Sequence, residues 1–372
     1  MSNATYLDFN ATAPTRPEVI EAVADAMKSG GNASSVHGTG RAARAGVEQA
    51  RGRVAALVGA DVRGVIFTGS GTEANNQALR RTGRVRLLVS AIEHESVIQA
   101  RDDAELIPVG ADGMVDLAAL ERMLDGDGGP ALVSVMAANN ETGIVQPVVE
   151  VARIAHARGA LVHCDAVQAA GKLPVDMATL GVDFLALSAH KIGGPQGVGA
   201  LVCRDPALLG RLVHGGGQEA GLRAGTENVP GIVGFGVAAD SALRGLGGFA
   251  DLADLRDGLE ARMRAEANKI VVIGGDVARL PNTAKVATPG LAADLQVMGL
   301  DLAGIAISAG SACSAGRVEM PYVLSAMGVP EDIALSAVRI SLGWTTTADD
   351  VDAFIGAWSE LRRRGSGPAV AQ

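Results

Sequence analysis

Residues 182–191 combine a hydrophobic strand pattern with a lysine that could do chemistry. The apolar run 182–187 is followed by a Ser-Ala-His-Lys sequence that ends at Lys191, and then by a glycine-rich turn. The chain has only five lysines, and packing gives no reason for a charge at this position. The amine of a lysine can form a Schiff base with an aldehyde, which an arginine guanidinium cannot do. We therefore hypothesise that Lys191 carries pyridoxal phosphate.

An acidic residue, Asp165, directly follows a second apolar run at residues 160–164. Buried carboxylates are rare unless they have a partner. The nitrogen of a pyridine ring is one such partner, because a carboxylate beside it keeps the nitrogen protonated and the ring able to accept electrons. The alternative is that Asp165 caps the helical segment that follows it. Both interpretations place the carboxylate at the end of a strand.

His94 and the turn at residues 69–73 are further candidates. His94 is either an exposed loop histidine or a ring that stacks on the cofactor and moves protons. The Gly-Ser-Gly-Thr-Glu turn precedes a helix, whose N-terminal N–H groups can bind phosphate, although a simple capped turn explains the sequence equally well. A dinucleotide site is disfavoured because Ala74 takes the place of the third glycine. Ser188 and His190 flank the lysine region and could also reach a phosphate.

Alternating strand and helix patterns position these candidates. Apolar strand patterns end at or shortly before Thr72, His94, Asn140, Asp165 and Lys191. The alternation predicts an α/β fold with a largely parallel sheet and helices on both faces. Ligands bind such sheets beyond the carboxyl ends of the strands. We therefore expect these five side chains to converge.

The order of the elements changes after a glycine-rich stretch at residues 245–248, and a second, α+β domain is predicted beyond it. The predicted organisation has four parts. They are an N-terminal arm that packs with the small domain (1–15), a large cofactor-binding domain (16–248), a small C-terminal domain (249–364) and a disordered tail (365–372).

Composition narrows the class of protein. The chain has 372 residues, of which 48% are hydrophobic and 20% charged, so it can bury a substantial core. A net charge of −9 without a dense basic cluster argues against nucleic-acid binding. Neither an apolar run long enough to span a membrane nor a signal peptide is visible.

The three cysteines have neither disulfide nor zinc-ligand spacing, which fits a reducing cytoplasm. Cys164 and Cys203 are predicted to be core residues, and Cys313 is predicted to be accessible.

Taken together, these motifs resemble the cysteine desulfurases, pyridoxal-phosphate enzymes of the class V aminotransferase group (NifS/IscS-like). The resemblance covers nearly the whole chain. Its matching stretches are 6–8, 10–12, 32–37, 71–76, 93–94, 139–143, 165–168, 188–191, 215–219, 225–229, 310–313, 339 and 341–343. Four departures from the usual pattern remove no catalytic group: Phe9 and Ala33 replace an asparagine and a proline, Gly69-Ser70 reverses the usual order, and Gln196 replaces a lysine.

The resemblance implies the fold type I of pyridoxal-phosphate-dependent transferases, with a mainly parallel, mixed seven-stranded sheet in the large domain. It implies that Lys191 forms the Schiff base, that Asp165 pairs with the pyridine nitrogen and that Gln168 hydrogen-bonds the phenolic oxygen. His94 would stack on the ring and shuttle protons. The phosphate would be held by Gly71, Thr72, Ser188 and His190.

The resemblance also implies the substrate site and a partner subunit. Asn140 and Arg339 would bind the substrate, and the guanidinium of Arg339 would make a bidentate interaction with its α-carboxylate. Cys313, in an extended mobile loop of the small domain, would accept the sulfur. Thr226 would reach the phosphate bound in the partner subunit, which implies a homodimer.

The implied reaction converts L-cysteine to L-alanine and leaves the sulfur on Cys313 as a persulfide. The sulfur would pass to an acceptor protein such as an iron–sulfur scaffold, or to another pathway. Alternatives are a selenocysteine lyase or a related β-lyase on the same cofactor, and, less favoured, an aminotransferase, which would not need Cys313. An inactive scaffold subunit is a further alternative. We expect a cytoplasmic enzyme without a metal, a membrane contact or nucleic-acid binding.

Overall fold

A seven-stranded mixed sheet forms the centre of the molecule in the computed structural model, which describes residues 5–126, 128–309 and 320–365. Its strands are β2 (Val65–Thr68), β3 (Arg86–Ser90), β4 (Glu105–Ile107), β5 (Ala131–Ser134), β6 (Leu161–Asp165), β7 (Phe184–Ser188) and β8 (Gly199–Cys203). Their order is β2-β8-β7-β6-β5-β3-β4. Only β8 runs antiparallel to its neighbours β2 and β7. The predicted α/β fold with a mainly parallel seven-stranded sheet is confirmed.

Burial explains why these strands are apolar along their whole length. Every residue of β2, β5, β7 and β8 is buried. Helices cover both faces of a parallel sheet, so its strands lack the alternation of polar and apolar residues that a half-exposed sheet shows. The covering helices are α1 (Pro17–Ser29), α2 (Gly38–Leu57), α3 (Gly71–Arg81), α4 (Glu95–Ile98), α5 (Leu117–Leu124), α6 (Val148–His156), α7 (Met177–Leu180) and α8 (Val229–Arg244).

Local sequence signals explain where the helices that matter for the site begin. α1 starts with Pro17, whose missing N–H is not needed at that position. α3 starts after Ser70, whose hydroxyl accepts a hydrogen bond from the N–H of Glu73. The turn that joins β2 to α3 therefore holds the first residues of α3 at the edge of the sheet where its parallel strands end.

The C-terminal part has its own three-stranded antiparallel sheet in the order β12-β10-β9. Its elements are α9 (Leu246–Ala250), α10 (Leu252–Glu266), β9 (Val271–Val272), β10 (Thr283–Ala287), α11 (Ala293–Leu302), β11 (Ile305–Ala306), α12 (Tyr322–Ala326), α13 (Glu331–Ala334), β12 (Ala337–Ser341) and α14 (Ala348–Gly365). Leu259, Val286, Ile340, Phe354 and Trp358 belong to its apolar core.

The N-terminal arm joins this C-terminal part. Its strand β1 (Thr5–Tyr6) pairs in parallel with β11, and Leu7 is buried in the same apolar core. The glycine-rich stretch 245–248 lies mostly within the short helix α9. Gly365, the first residue of the predicted tail, ends α14, and residues 366–372 lie outside the described residues. The division into domains stays a prediction.

Within the described ranges, none of the helices is both long and apolar enough to cross a membrane.

Candidate active site

One cavity of about 670 Å³ lies beyond the carboxyl ends of the parallel strands. Residues from the arm, the large sheet and the C-terminal sheet all line it. They include ten of the twelve site residues that the sequence predicted: Gly71, Thr72, His94, Asn140, Asp165, Gln168, Ser188, His190, Lys191 and Arg339. The folded chain therefore brings together side chains that are up to 268 positions apart (339 − 71).

Lys191 is held by the N-terminal arm. It ends a short helical turn after β7, and its Nζ donates to the carbonyl oxygens of Asn10 at 2.6 Å and Ala11 at 2.8 Å. Burial is the main cause that lowers the pKa of Lys191 to about 8, and the cation of Arg339 adds to it. Burial thus favours the neutral amine, which is the form that attacks a carbonyl group.

Asp165 is the last residue of β6 and is 7% exposed. Its Oδ2 accepts a hydrogen bond from Asn75 Nδ2 at 2.7 Å, and its Oδ1 accepts one from the N–H of Val167 at 2.9 Å. The second contact caps a turn and not the helix that the alternative interpretation expected, because the next helix, α7, begins only at Met177. In the described part of the chain, Asp165 has no ion-pair partner. A buried carboxylate that lines the cavity and has no ion-pair partner of its own suits the protonated ring nitrogen of a cofactor.

The start of α3 and the turn after β7 also line the cavity. Gly71 packs closely, since an added Cβ would lie 3.0 Å from a methyl carbon of Val167. Thr72 follows it in the first turn of α3, where backbone N–H groups have no partner within the helix. His190 Nδ1 lies 3.1 Å from the hydroxyl of Thr12, and burial lowers the pKa of His190 to about 4. These groups, with Ser188, offer neutral hydrogen bonds to a phosphate.

Arg339 comes from β12 and faces the large sheet. Its Nη2 donates to Asp8 Oδ1 at 2.6 Å and its Nη1 to the carbonyl oxygen of Asn140 at 3.1 Å. The guanidinium is therefore already positioned, and its binding of a substrate carboxylate stays a prediction. Within the described residues, Arg339 Nε and Asn140 Oδ1 are buried without a hydrogen-bond partner. These two atoms could bind the polar groups of an amino acid.

A lysine that the sequence analysis did not single out supports Gln168. Lys172 is 3% exposed, and its Nζ donates to Gln168 Oε1 and to Asn10 Oδ1, both at 2.7 Å. Gln168 Nε2 donates to the carbonyl oxygen of Asn10 at 3.0 Å. Lys172 donates to Oε1 of Gln168, and one N–H of Nε2 is used by Asn10. The second N–H of Nε2 is therefore available for an acceptor on a ligand.

His94 lies in the loop between β3 and α4 and caps α4, since its Nδ1 accepts a hydrogen bond from the N–H of Ser96. It is exposed, as one of the two interpretations expected, and it also lines the cavity. Ser96, Asn75 and Tyr322 line the cavity as well and were not predicted. Tyr322 donates to the carbonyl oxygen of Glu93 at 2.6 Å.

Two predicted residues remain, Thr226 and Cys313. Thr226 is exposed on the loop before α8 and does not line the cavity within this chain. Cys313 lies outside the described residues. The two other cysteines, Cys164 and Cys203, are buried and free, as predicted.

The matching family model is Aminotransferase class-V, which covers residues 5–354. The chain is 43% identical over 365 residues to a cysteine desulfurase of Cereibacter sphaeroides, with 94% of this chain and 93% of that protein covered. It is 39% identical to an IscS-like cysteine desulfurase of Mycobacterium tuberculosis, with 98% and 99% covered. Among solved structures, a NifS-like protein from Rickettsia africae superimposes with a TM-score of 0.91 at 36% identity, covering 97% of this chain and all of that one (100%).

Proposed function

The chain belongs to the class-V aminotransferase family and is a pyridoxal-phosphate-dependent cysteine desulfurase. From this premise we propose which residues carry out each part of the reaction. The observation that supports the assignment is the convergence of Lys191, Asp165, Asn140 and Arg339 on one cavity. Asp165 comes from β6, Lys191 from the turn after β7, Arg339 from β12 and Asn140 from the segment after β5, so only the folded chain unites them.

The cofactor's attachment and orientation depend on Lys191, Asp165 and Gln168. Lys191 supplies the amine that holds the cofactor, Asp165 holds a proton on its ring nitrogen, and Gln168 donates to its phenolic oxygen. When bound, the cofactor would accept the electron pair that remains on the substrate's Cα after the Cα proton is removed. Gly71, Thr72, Ser188 and His190 bind its phosphate.

Substrate binding depends on Arg339 and Asn140. The α-carboxylate of L-cysteine binds Arg339, whose guanidinium Asp8 and the Asn140 carbonyl hold in place. Lys191 moves the Cα proton, since its lowered pKa of about 8 lets the amine accept and return protons near neutrality.

Sulfur transfer depends on Cys313. Its thiolate attacks the sulfur of the bound cysteine, the Cβ–S bond breaks, and the electron pair of that bond stays on the carbon, which is protonated to give alanine. Burial raises the pKa of Cys164 well above its usual range and that of Cys203 to about 12, so neither forms a thiolate readily. The exclusion of these two cysteines supports Cys313 as the sulfur acceptor.

Two further proposals concern partners. Thr226 completes the phosphate site of a second subunit, so the enzyme is a homodimer; its exposure outside the cavity of its own chain supports this. The persulfide sulfur passes to an acceptor protein such as an iron–sulfur scaffold, in the cytoplasm.

The assignment of Cys313 is tested by mapping the persulfide. The cofactor-loaded enzyme is incubated with L-cysteine without a reductant, alkylated and digested, and the peptides are identified by mass spectrometry. We expect one additional sulfur on the Cys313 peptide, one alanine released per sulfur, and unmodified Cys164 and Cys203 peptides as internal controls. Release of a keto acid, or free sulfide with no modified Cys313, would contradict the proposal.

The lowered pKa of Lys191 predicts how cofactor attachment depends on pH. Only the neutral amine attacks an aldehyde, and the folded-state pKa of about 8 lies below the usual value of 10.5. The attachment rate of cofactor-free enzyme should therefore rise about tenfold per pH unit below pH 8 and level off above it. Borohydride trapping followed by peptide mapping measures the rate at Lys191. Lys285, whose pKa is also about 8 but which is fully buried, is the control and should remain unlabelled.

A further inference from the structure

A hydrogen-bonded chain connects His94 to Asp165 through two residues that the proposed reaction does not use. His94 Nδ1 lies 2.8 Å from Ser96 Oγ. Asn75 Nδ2 lies 2.9 Å from the same oxygen and 2.7 Å from Asp165 Oδ2. Asn75 is 1% exposed, so water cannot replace these contacts. The chain ties the exposed histidine to the carboxylate that faces the cofactor's ring nitrogen.

The carboxylate of Asp165 fixes the orientation of the Asn75 amide. An ionised carboxylate only accepts hydrogen bonds, so the Asn75 atom that faces Oδ2 is the nitrogen. A reversed amide would place two oxygens 2.7 Å apart in a buried site. The second N–H of Nδ2 then points to Ser96 Oγ, which must accept it.

The orientation of Asn75 in turn fixes the proton on His94. Ser96 Oγ accepts from Asn75, so its own hydrogen is free for the atom on its other side, which is His94 Nδ1. The backbone N–H of Ser96 also donates to Nδ1, at 3.1 Å. An atom that accepts from two donors carries no hydrogen itself. The neutral ring therefore has its proton on Nε2.

We infer that Asn75 and Ser96 are positioning residues that hold His94 as the Nε2–H tautomer, so that it acts as a hydrogen-bond donor and leaves the Cα proton to Lys191. The hydrogen-bonded chain passes through the amide of Asn75, which gives up no proton, so no proton passes along it from Asp165 to His94. His94 could accept a proton only at Nδ1, which Ser96 occupies. This inference rests on the proposed cofactor site, but the tautomer can be measured independently of catalysis.

The first test reads the tautomer directly. Cofactor-loaded enzyme with ¹⁵N-labelled histidine is examined by long-range ¹H–¹⁵N correlation NMR, and the His94 signals are assigned by their loss in His94→Gln. We expect a protonated Nε2 and an unprotonated Nδ1. A proton on Nδ1, alone or as part of an imidazolium ion, in the unmodified enzyme overturns the inference.

Matched serine variants test the cause. Ser96→Ala removes the hydroxyl donor but keeps the backbone N–H, so the His94 signals should shift toward a mixture of tautomers. Ser96→Thr keeps a hydroxyl and should retain the Nε2–H pattern. Ser29→Ala removes a hydroxyl from the exposed end of α1 and should change nothing. An unchanged tautomer in Ser96→Ala would show that Ser96 does not control it.

Kinetics test the consequence for catalysis. Exchange of the α-proton of L-alanine in D₂O reports proton removal without sulfur transfer. Ser96→Ala should lower kcat about fivefold, the equivalent of one lost hydrogen bond, with KM for L-cysteine unchanged. His94→Gln keeps an N–H donor and should retain exchange within about tenfold. Abolished exchange in His94→Gln, with cofactor still bound, would make His94 the base and refute the inference; enzyme that binds no cofactor would instead refute the proposed function.

Discussion

Asp165→Asn is expected to lower kcat by about 10²–10³-fold, the usual cost of removing one preorganised group that stabilises charge in a transition state. The carboxylate of Asp165 is buried at the end of β6, and no cation pairs with it in the described residues. A neutral amide cannot keep the cofactor's ring nitrogen protonated. Electrons from the Cα–H bond would then have no low-energy acceptor, and proton removal would slow.

The measurement compares kcat for alanine formation with the rate of α-proton exchange in D₂O. Both should fall by similar factors in Asp165→Asn, since both need the ring to accept electrons. Cofactor content and thermal unfolding serve as controls, because the amide can replace only one of the two oxygen acceptors that Asn75 and Val167 use. A fully loaded variant with normal exchange would show that Asp165 acts only as the structural cap of the following turn.

Sequence patterns were sufficient for the sheet and for most of the helices that cover it. The central strands are buried on both faces and therefore read as continuous apolar runs. The short helices α7, α9 and α13 were missed because four or five residues give no periodicity. The glycine-rich stretch before residue 248 suggested a boundary, yet it is mostly helical, since helix propensity is only a weak guide against tertiary packing.

Without the family resemblance, the site was predictable only at or shortly after the ends of apolar strand patterns. Asp165 ends β6, and Lys191 lies three residues after the end of β7. The contributions of Asn10 and Asp8 could not be predicted, because they depend on where the N-terminal arm lies after folding. The rarity of lysine drew attention to Lys191, but the same argument applied to Lys172, which is buried beside Gln168.

One departure from the family pattern has a packing explanation. Phe9, in place of an asparagine, is 2% exposed and makes edge-to-face contacts with Tyr6 at 5.5 Å and Trp344 at 5.3 Å between ring centroids. Gly343 lies against its ring, which an added Cβ would approach to 2.0 Å. Phe9 therefore anchors the arm that supplies Asn10 to the site. The substitution affects the arm's packing rather than the chemistry.

Lys285→Met is expected to lower the free energy of unfolding by about 3–5 kcal/mol, the usual cost of removing one partner of a buried ion pair. Lys285 and Glu141 are both fully buried, and Lys285 Nζ lies 3.7 Å from Glu141 Oε2. In the described residues neither oxygen of Glu141 has a hydrogen-bond partner, so the lysine is its main compensation. Burial lowers the pKa of Lys285 to about 8 while Glu141 opposes that shift. Without Lys285, the carboxylate must be buried alone or take up a proton.

A double-mutant cycle separates the ion pair from the packing of the lysine. Urea unfolding near pH 7 is measured for Lys285→Met, Glu141→Gln and the double variant, and the double variant should recover most of the loss because no unpaired charge is left. Lys28→Met is the control: its partner Asp25 is exposed, so breaking that pair should change stability by about 0–1 kcal/mol.

Lys285 Nζ also donates to the carbonyl oxygen of Ala309 at 2.9 Å, a bond that the double variant lacks. The loss that remains in the double variant therefore measures this bond and the packing of the lysine stem. Equal losses in Lys285→Met and the double variant would show that Glu141 does not need the lysine.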